Sequence, residues 1–256
     1  ALAGYAVLFL WVKAVKPGLL RARPYTIAEV SRLSRTVHAI ELVPARGKVF
    51  SYMAGQFAFV RFFSRNLPSE EHHFTLSSAP TRDCIIFTIK CSGDFTSRIG
   101  RLAVGDTAMI DGPYGLFSCQ ALPLQPADEL IMIAGGIGIT PMLSMLRYAA
   151  DIGERWKITH VWSNRTQEDM FCNDELEQLG EKLPRLAFFP VLTRQPDYKG
   201  LQGRLDSALL GKMLAESSRS AYIFLCGPPD MMDAVRAALV SLGFEKRRIL
   251  SERFSL

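Results

Sequence analysis

The stretch that most constrains this chain is Ile131–Pro141, where an apolar run empties into glycines and a Thr-Pro pair (Ile-Met-Ile-Ala-Gly-Gly-Ile-Gly-Ile-Thr-Pro). A helix-like segment, Met142–Ala150, follows. Strand, tight turn and helix in that order present backbone N–H groups and the positive end of a helix dipole, a setting suited to a phosphate. Gly and Pro also punctuate ordinary strand-to-helix turns, so the rest of the chain must decide between the two. Gly136-Ile137-Gly138 is not followed by the third glycine of the common dinucleotide fingerprint, and no acid stands at the end of the next strand to hold a ribose. That strand ends in Ser163-Asn164-Arg165-Thr166. A hydroxyl and a guanidinium there suit a 2′-phosphate, which predicts NADPH in preference to NADH.

Upstream the rhythm differs. Tyr25–Arg32, Thr36–Val43, Gln56–Phe63, His73–Ser78, Cys84–Lys90 and Thr107–Asp111 read as short strands, and Phe95–Leu102 as a helix. Ala45–Ala54 and the polar Asn66–Glu71 read as loops. Short strands at this spacing predict an antiparallel barrel or sandwich. Cys119–Asp128, with Pro123 and Pro126, reads as a linker. Beyond it strands (Glu129–Ala134, Ile158–Ser163, Ala187–Thr193, Ala221–Cys226, Ile249–Arg253) alternate with helices (Pro141–Ile152, Asn173–Leu183, Leu205–Glu216, Pro229–Leu242). Such alternation predicts a parallel sheet with helices on both faces. The chain divides accordingly into residues 1–24, 25–118, 119–128 and 129–256.

Ala1–Val12 is almost wholly apolar, and Lys13, Lys16, Arg21 and Arg23 come after it. Twelve residues cannot cross a bilayer, which takes about 20. An apolar run ending near Trp11 and then a basic cluster matches the exit of a transmembrane helix on the cytoplasmic side. An amphipathic anchor or a buried terminal helix is the alternative, but the run lacks a polar face, so the expectation is the end of a transmembrane helix and a basic linker over residues 1–24, with the remainder at the cytoplasmic face of the cell membrane. The net charge of +5 is modest, and no Arg-rich helix or base-stacking motif points to nucleic acid. Cys84, Cys91, Cys119, Cys172 and Cys226 form no CxxC pair, which argues for reduced thiols. His38, His72, His73 and His160 are too scattered to predict a metal site.

Four further stretches carry polar chemistry. His72-His73-Phe74-Thr75-Leu76-Ser77-Ser78-Ala79-Pro80 sets two histidines, an aromatic and three hydroxyls on and beyond one strand. Alternation would place His72, Phe74, Leu76 and Ser78 on one face and His73, Thr75 and Ser77 on the other. Lys90-Cys91-Ser92-Gly93-Asp94-Phe95-Thr96-Ser97 runs from a strand into a helix start, where capping residues and free N–H groups suit either a plain cap or a second phosphate. Cys226-Gly227-Pro228-Pro229 is again strand into helix, at the carboxyl edge of the predicted parallel sheet, where ligands bind. The tail ends Ser251-Glu252-Arg253-Phe254-Ser255-Leu256.

Taken together these stretches resemble the ferredoxin–NADP reductase superfamily, and most nearly the dehydrogenase half of the NADPH oxidase and ferric reductase transmembrane proteins. The resemblance rests on His72–Pro80 (with His73 where that family has Pro), Gly93–Thr96, Asp111–Gly115, Gly135–Pro141, Cys226–Pro228 and the near-terminal Phe254. It spans about Tyr25 to Phe254. It implies an α+β two-domain fold, an antiparallel six-stranded β-barrel for FAD followed by a doubly wound parallel α/β domain for NADPH. It also implies roles. His72, Phe74, Thr75 and Leu76 would hold or flank FAD, and Lys90, Gly93, Phe95 and Thr96 would complete its pyrophosphate site. Gly135, Gly136, Gly138, Thr140 and Pro141 would take the NADPH pyrophosphate. Ser163, Arg165 and Arg194 would take its 2′-phosphate. Cys226, with Gly227 and Pro228, would lie beside the nicotinamide, and Phe254 would cover the flavin ring. Thr75, Cys226 and Phe254 would then be the catalytic set.

The implied activity passes electrons from NADPH through FAD to a haem in an adjoining membrane domain not contained in this chain, and on to O2 or ferric iron. Two rival readings share the motifs: a soluble reductase serving a diffusible acceptor, and a nucleotide-binding regulatory module without chemistry. The apolar start weighs against the first and the intact flavin-site residues against the second.

Overall fold

The computed structural model describes residues 18, 23–125 and 127–254. The apolar run Ala1–Val12, with Lys13, Lys16 and Arg21, lies outside the described residues, as does Ser255-Leu256. Among the described residues no helix is long and apolar enough to cross a membrane.

Six antiparallel strands come first: β1 (Tyr25–Arg32), β2 (Val37–Pro44), β3 (Phe57–Phe63), β4 (Glu71–Thr75), β5 (Ile85–Lys90) and β6 (Thr107–Tyr114), in the order β4-β3-β6-β1-β2-β5. Alternation decides what faces inward. In β3, Ala58, Val60 and Phe62 are buried while Phe57, Phe59 and Arg61 face outward. The interior is filled by Ile40, Leu42, Val60, Phe62, Leu76 and Phe87, all at 0% exposure.

The strand expected over His73–Ser78 forms over Glu71–Thr75 instead. After Thr75 the chain leaves β3 and crosses to β5. Leu76 forms a bridge with Phe87, and Ser77 N donates to Ile86 O at 2.8 Å. This crossing joins the two edge strands and removes the open edge. It also ends the expected two-face alternation, since Thr75 through Ala79 are all buried. The helix expected over Phe95–Leu102 is a 3-10 helix, Thr96–Arg101.

The second sheet is wholly parallel: β7 (Glu129–Gly135), β8 (Lys157–Asn164), β9 (Leu186–Leu192), β10 (Leu201–Gln202), β11 (Tyr222–Cys226) and β12 (Ile249–Glu252), in the order β10-β9-β8-β7-β11-β12. Every residue of β7 is buried, as a central strand covered on both faces must be. Leu130, Met132 and Ala134 face α1 (Thr140–Asp151) and α2 (Asn173–Lys182). Ile131 and Ile133 face α3 (Ser207–Met213) and α4 (Pro229–Ser241). The helix α3 is shorter than the expected Leu205–Glu216, because Asp206 caps it by accepting from Leu209 N at 2.8 Å. The two-residue β10 has no signal in the sequence. The six-stranded antiparallel sheet and the doubly wound parallel sheet are the architecture the resemblance implied.

One buried histidine makes this fold sensitive to acid. His160, on β8, is 0% exposed, and its Nδ1 donates to Met132 O at 3.1 Å. Burial pushes its pKa from 6.5 down to about 4. The unfolded chain therefore takes up a proton that the folded chain refuses. Stability from this group is whole above pH 6.5 and is lost as pH falls toward 4. The loss is at most about 3 kcal/mol. Urea unfolding across that window should show the slope, and His160→Phe should flatten it.

Candidate functional site

Thr75 closes β4 at 5% exposure, and its Oγ1 is buried with no hydrogen-bond partner. Leaving a buried hydroxyl unpaired costs about 1–3 kcal/mol, which makes it a candidate contact for a ligand. On the other face of β4, His72 and Phe74 are half-buried. The His72 ring stacks on Phe95 with centroids 3.9 Å apart and on Phe74 at 6.2 Å, forming an aromatic shelf. Phe95 (6% exposed) and Leu76 (0%) belong to the barrel core, so Leu76 offers a cofactor only its backbone.

Lys90 is half-buried at the end of β5. In the turn beyond it, Thr96 Oγ1 accepts from Ser92 N at 3.0 Å and Gly93 N at 2.9 Å. Those two amides are therefore engaged by a hydroxyl that closes the turn, while the 3-10 helix itself carries no side-chain cap.

The nucleotide loop sits where the strand order reverses, between β7 and β11, the usual ligand crevice of such sheets. Its glycines divide into two kinds. A Cβ on Gly138 would lie 2.5 Å from Cys226 O, and one on Gly135 or Gly227 would strike Met231 at 2.6 or 2.8 Å. These permit the close approach of the two loops. Gly136 differs: its φ is +53° and a Cβ there would meet nothing within 4 Å, so it borders open space. Trp162 Nε1 donates to Gly136 O at 2.9 Å and Thr140 Oγ1 donates to Ile137 O at 3.1 Å, which fix the loop ahead of Pro141 and the rest of α1.

At the ends of β8 and β9, Arg194 N donates to Arg165 O at 2.9 Å, so two exposed arginines stand side by side. Ser163 is 8% exposed, and both side-chain polar atoms of the buried Asn164 are unpartnered. The pairing of Arg165 with Arg194 is decided by strand register and is invisible in the sequence spacing.

Glu252 was not among the expected site residues. It ends β12 beside Cys226, its register partner. Its Oε2 is buried without a hydrogen-bond partner, and burial raises its pKa to about 7. A Cβ on Gly115 would lie 3.6 Å from Glu252 Oε1 and 3.3 Å from the Phe57 ring. Phe57 is in turn the cross-strand partner of Thr75. Glu252 from the parallel sheet therefore approaches the end of β6 and the Phe57 ring of the barrel at the seam. An acid two residues before a terminal aromatic was the available signal, but only burial makes it stand out.

Cys226 is 0% exposed, and burial with the nearby Glu252 carboxylate pushes its thiol well above the ordinary range. It is a neutral packed wall. Phe254 is half-buried against the core cluster that also holds Phe117 and Phe224, which meet edge to face at 5.2 Å across the seam. The unpaired Thr75 hydroxyl and the open cradle at Gly136 fit a flavin on the barrel and a nucleotide on the parallel sheet.

Comparisons with known proteins agree with this division. Residues 25–118 match the FAD-binding domain family, and residues 132–237 match the oxidoreductase NAD-binding domain family. The reductase component of propane 2-monooxygenase from Rhodococcus jostii is 26% identical over 240 residues, covering 90% of this chain and 62% of that relative. NADH-cytochrome b5 reductase 1 from Lodderomyces elongisporus is 34% identical over 173 residues, 66% of this chain and 56% of that relative. The chain thus spans under two thirds of the length of these relatives. The FAD/NAD-binding domain of nitric oxide dioxygenase from Vibrio cholerae superposes with a TM-score of 0.77 at 24% identity, covering 91% of this chain and 98% of that one. A ferredoxin NADP+ reductase from Neisseria gonorrhoeae with bound FAD and NADP gives 0.73 at 23%, covering 90% and 97%.

Proposed function

We propose that this chain, a member of the ferredoxin reductase superfamily through its FAD-binding and NAD-binding domains, is a flavin-dependent NAD(P)H oxidoreductase serving a one-electron acceptor housed elsewhere. The observation that carries the reading is that β4 of the barrel ends on a buried, unpaired Thr75 hydroxyl while the parallel sheet opens an uncrowded Gly136 turn at its switch point. When bound, the flavin takes two electrons from a nicotinamide and releases them singly. The chain's own part is mostly positioning. Thr75 Oγ1 offers a hydrogen bond toward the flavin, and the His72–Phe74 shelf supports it. The Gly136 turn and the start of α1 hold a pyrophosphate. Glu252, its pKa raised by burial to about 7, gains and loses a proton near neutral pH, and Phe254 shields the seam from water.

The acceptor we favour is a haem in a membrane domain, with the chain at the cytoplasmic face. Ala1–Val12 and the basic residues behind it support this reading. The relative named for cytochrome b5 fits a cytochrome acceptor, and the one named for a monooxygenase supports the diffusible-acceptor alternative. The sequence upstream of Ala1 separates them: further apolar spans with spaced histidines are required by the haem reading.

The core test is spectroscopic. The purified chain with FAD should be yellow and should bleach on adding NADPH. A chain that binds no flavin would be the regulatory module instead. The same assay reads the nucleotide. Arg165→Ala with Arg194→Ala should cut kcat/KM for NADPH by about tenfold or more, the worth of a charge-assisted contact, and leave NADH unchanged. An unchanged ratio would remove both arginines from the 2′-phosphate site.

A further inference from the structure

The helix that begins at the nucleotide loop also grips the flavin-side strand. Along α1, Thr140, Ser144, Arg147 and Asp151 recur at helical spacing on one face. Thr140 fastens the loop. Ser144, 0% exposed, donates from Oγ to Ser78 O at 2.6 Å. Arg147 donates from one guanidinium nitrogen to Ser77 O at 2.6 Å, and from the other two to Glu175 of α2 at 2.6 and 2.7 Å. Asp151 accepts from Thr81 Oγ1 and, at 2.8 Å, from Arg82 Nε. The segment so held, Ser77–Arg82, begins two residues after Thr75.

A helix needed only to cover the sheet would do so with apolar side chains. The rest of α1 does: Met142, Leu143, Met145, Leu146 and Ala149 are all at 0–1% exposure. A half-buried Arg–Glu pair adds little net stability compared with apolar packing, since partial desolvation and solvent screening offset the attraction. Its geometric effect is larger. A rigid rod of about 10 Å, the rise from Thr140 to Arg147, connects the nucleotide loop to the carbonyls behind Thr75.

We propose that this polar face of α1 is a positioning device: it sets the distance between the nucleotide loop and Thr75, and so the reach between donor and flavin. The proposal rests on the function proposed above. Arg147 and Ser144 act through the segment after β4 that they hold, so they are positioning residues.

The test uses the FAD-loaded chain, rapidly mixed with saturating NADPH. In Arg147→Ala the maximal rate of flavin bleaching should fall by about a hundredfold, the scale of a 1 Å misplacement. The Kd values for FAD and NADPH should move by no more than about threefold. Arg147→Lys, which keeps the charge and can reach one carbonyl, should recover part of the rate. In the cofactor-free protein, amide exchange over Ser77–Arg82 should quicken in Arg147→Ala. If that variant does not fold, Ser144→Ala and Arg147→Lys carry the same measurements. A wild-type maximal rate, or a loss lying wholly in affinity, would overturn the device. A wild-type chain that NADPH fails to bleach would instead overturn the proposed function, so the two failures are distinct.

Discussion

Gly138→Ala should abolish most NADPH-driven flavin reduction while leaving FAD bound. The added methyl would sit 2.5 Å from Cys226 O, 2.7 Å from Cys226 C and 2.9 Å from Gly227 N. All three are backbone atoms and cannot rotate away. The loops after β7 and β11 must then separate at the crevice where the nucleotide is held. Overpacking of this kind costs about 1–3 kcal/mol, and misplacing the cradle costs reduction about a hundredfold or more. The barrel is untouched, so the visible flavin spectrum should persist. Gly180→Ala is the control: it lies within α2, a Cβ there meets nothing within 4 Å, and the change should be neutral or slightly stabilising. A Gly138→Ala chain that reduces flavin at the wild-type rate would sever the loop from the nucleotide.

Glu252→Gln should slow flavin reduction about a hundredfold, the lower end of what a positioned acid or base contributes. It should also erase an ionisation near pH 7 from the rate profile. The argument is one of solvation. Oε2 is buried without a partner, so the charged form is disfavoured and the proton is held to about pH 7 instead of 4.5. The stability effect has the opposite sign. Because the folded chain binds this proton more tightly than the unfolded one, stability falls as pH rises from 4.5 to 7. A permanently neutral Gln escapes that loss. The variant should therefore be the more stable protein above pH 7, by at most about 2–3 kcal/mol, and the slower one. Lower activity with higher stability cannot come from general damage. A variant that keeps the wild-type pH profile would remove Glu252 from the chemistry.

Much of the fold was legible because its signals are local. The apolar run that follows Glu129, to Ala134, reads as a strand of a parallel sheet, and the Phe/Val alternation of Gln56–Phe63 reads as a barrel wall. Where β4 stops was not legible. His73–Ser78 has the composition of one strand, yet Thr75 is where pairing with β3 ends and Leu76 is where pairing with β5 begins. That depends on which edges must close. The helix read over Phe95–Leu102 is there, but that it is a 3-10 helix, Thr96–Arg101, was not legible, since over six residues the two spacings leave no distinct periodicity.

The candidate site divides in the same way. The sequence alone offered the stretches that could meet a phosphate, because glycine turns and helix starts are properties of short stretches, and the resemblance carried by its motifs implied the flavin residues. The tertiary structure alone decided which oxygens go unpaired, which arginines stand together and which glycines separate two backbones. It buried the Cys226 thiol and brought Glu252, its register partner, to the seam against Gly115. It also turned Ser144 and Arg147, two polar residues on an apolar helix, toward the carbonyls behind Thr75. Burial and proximity are set by chain segments dozens of residues apart, and no window of sequence contains them.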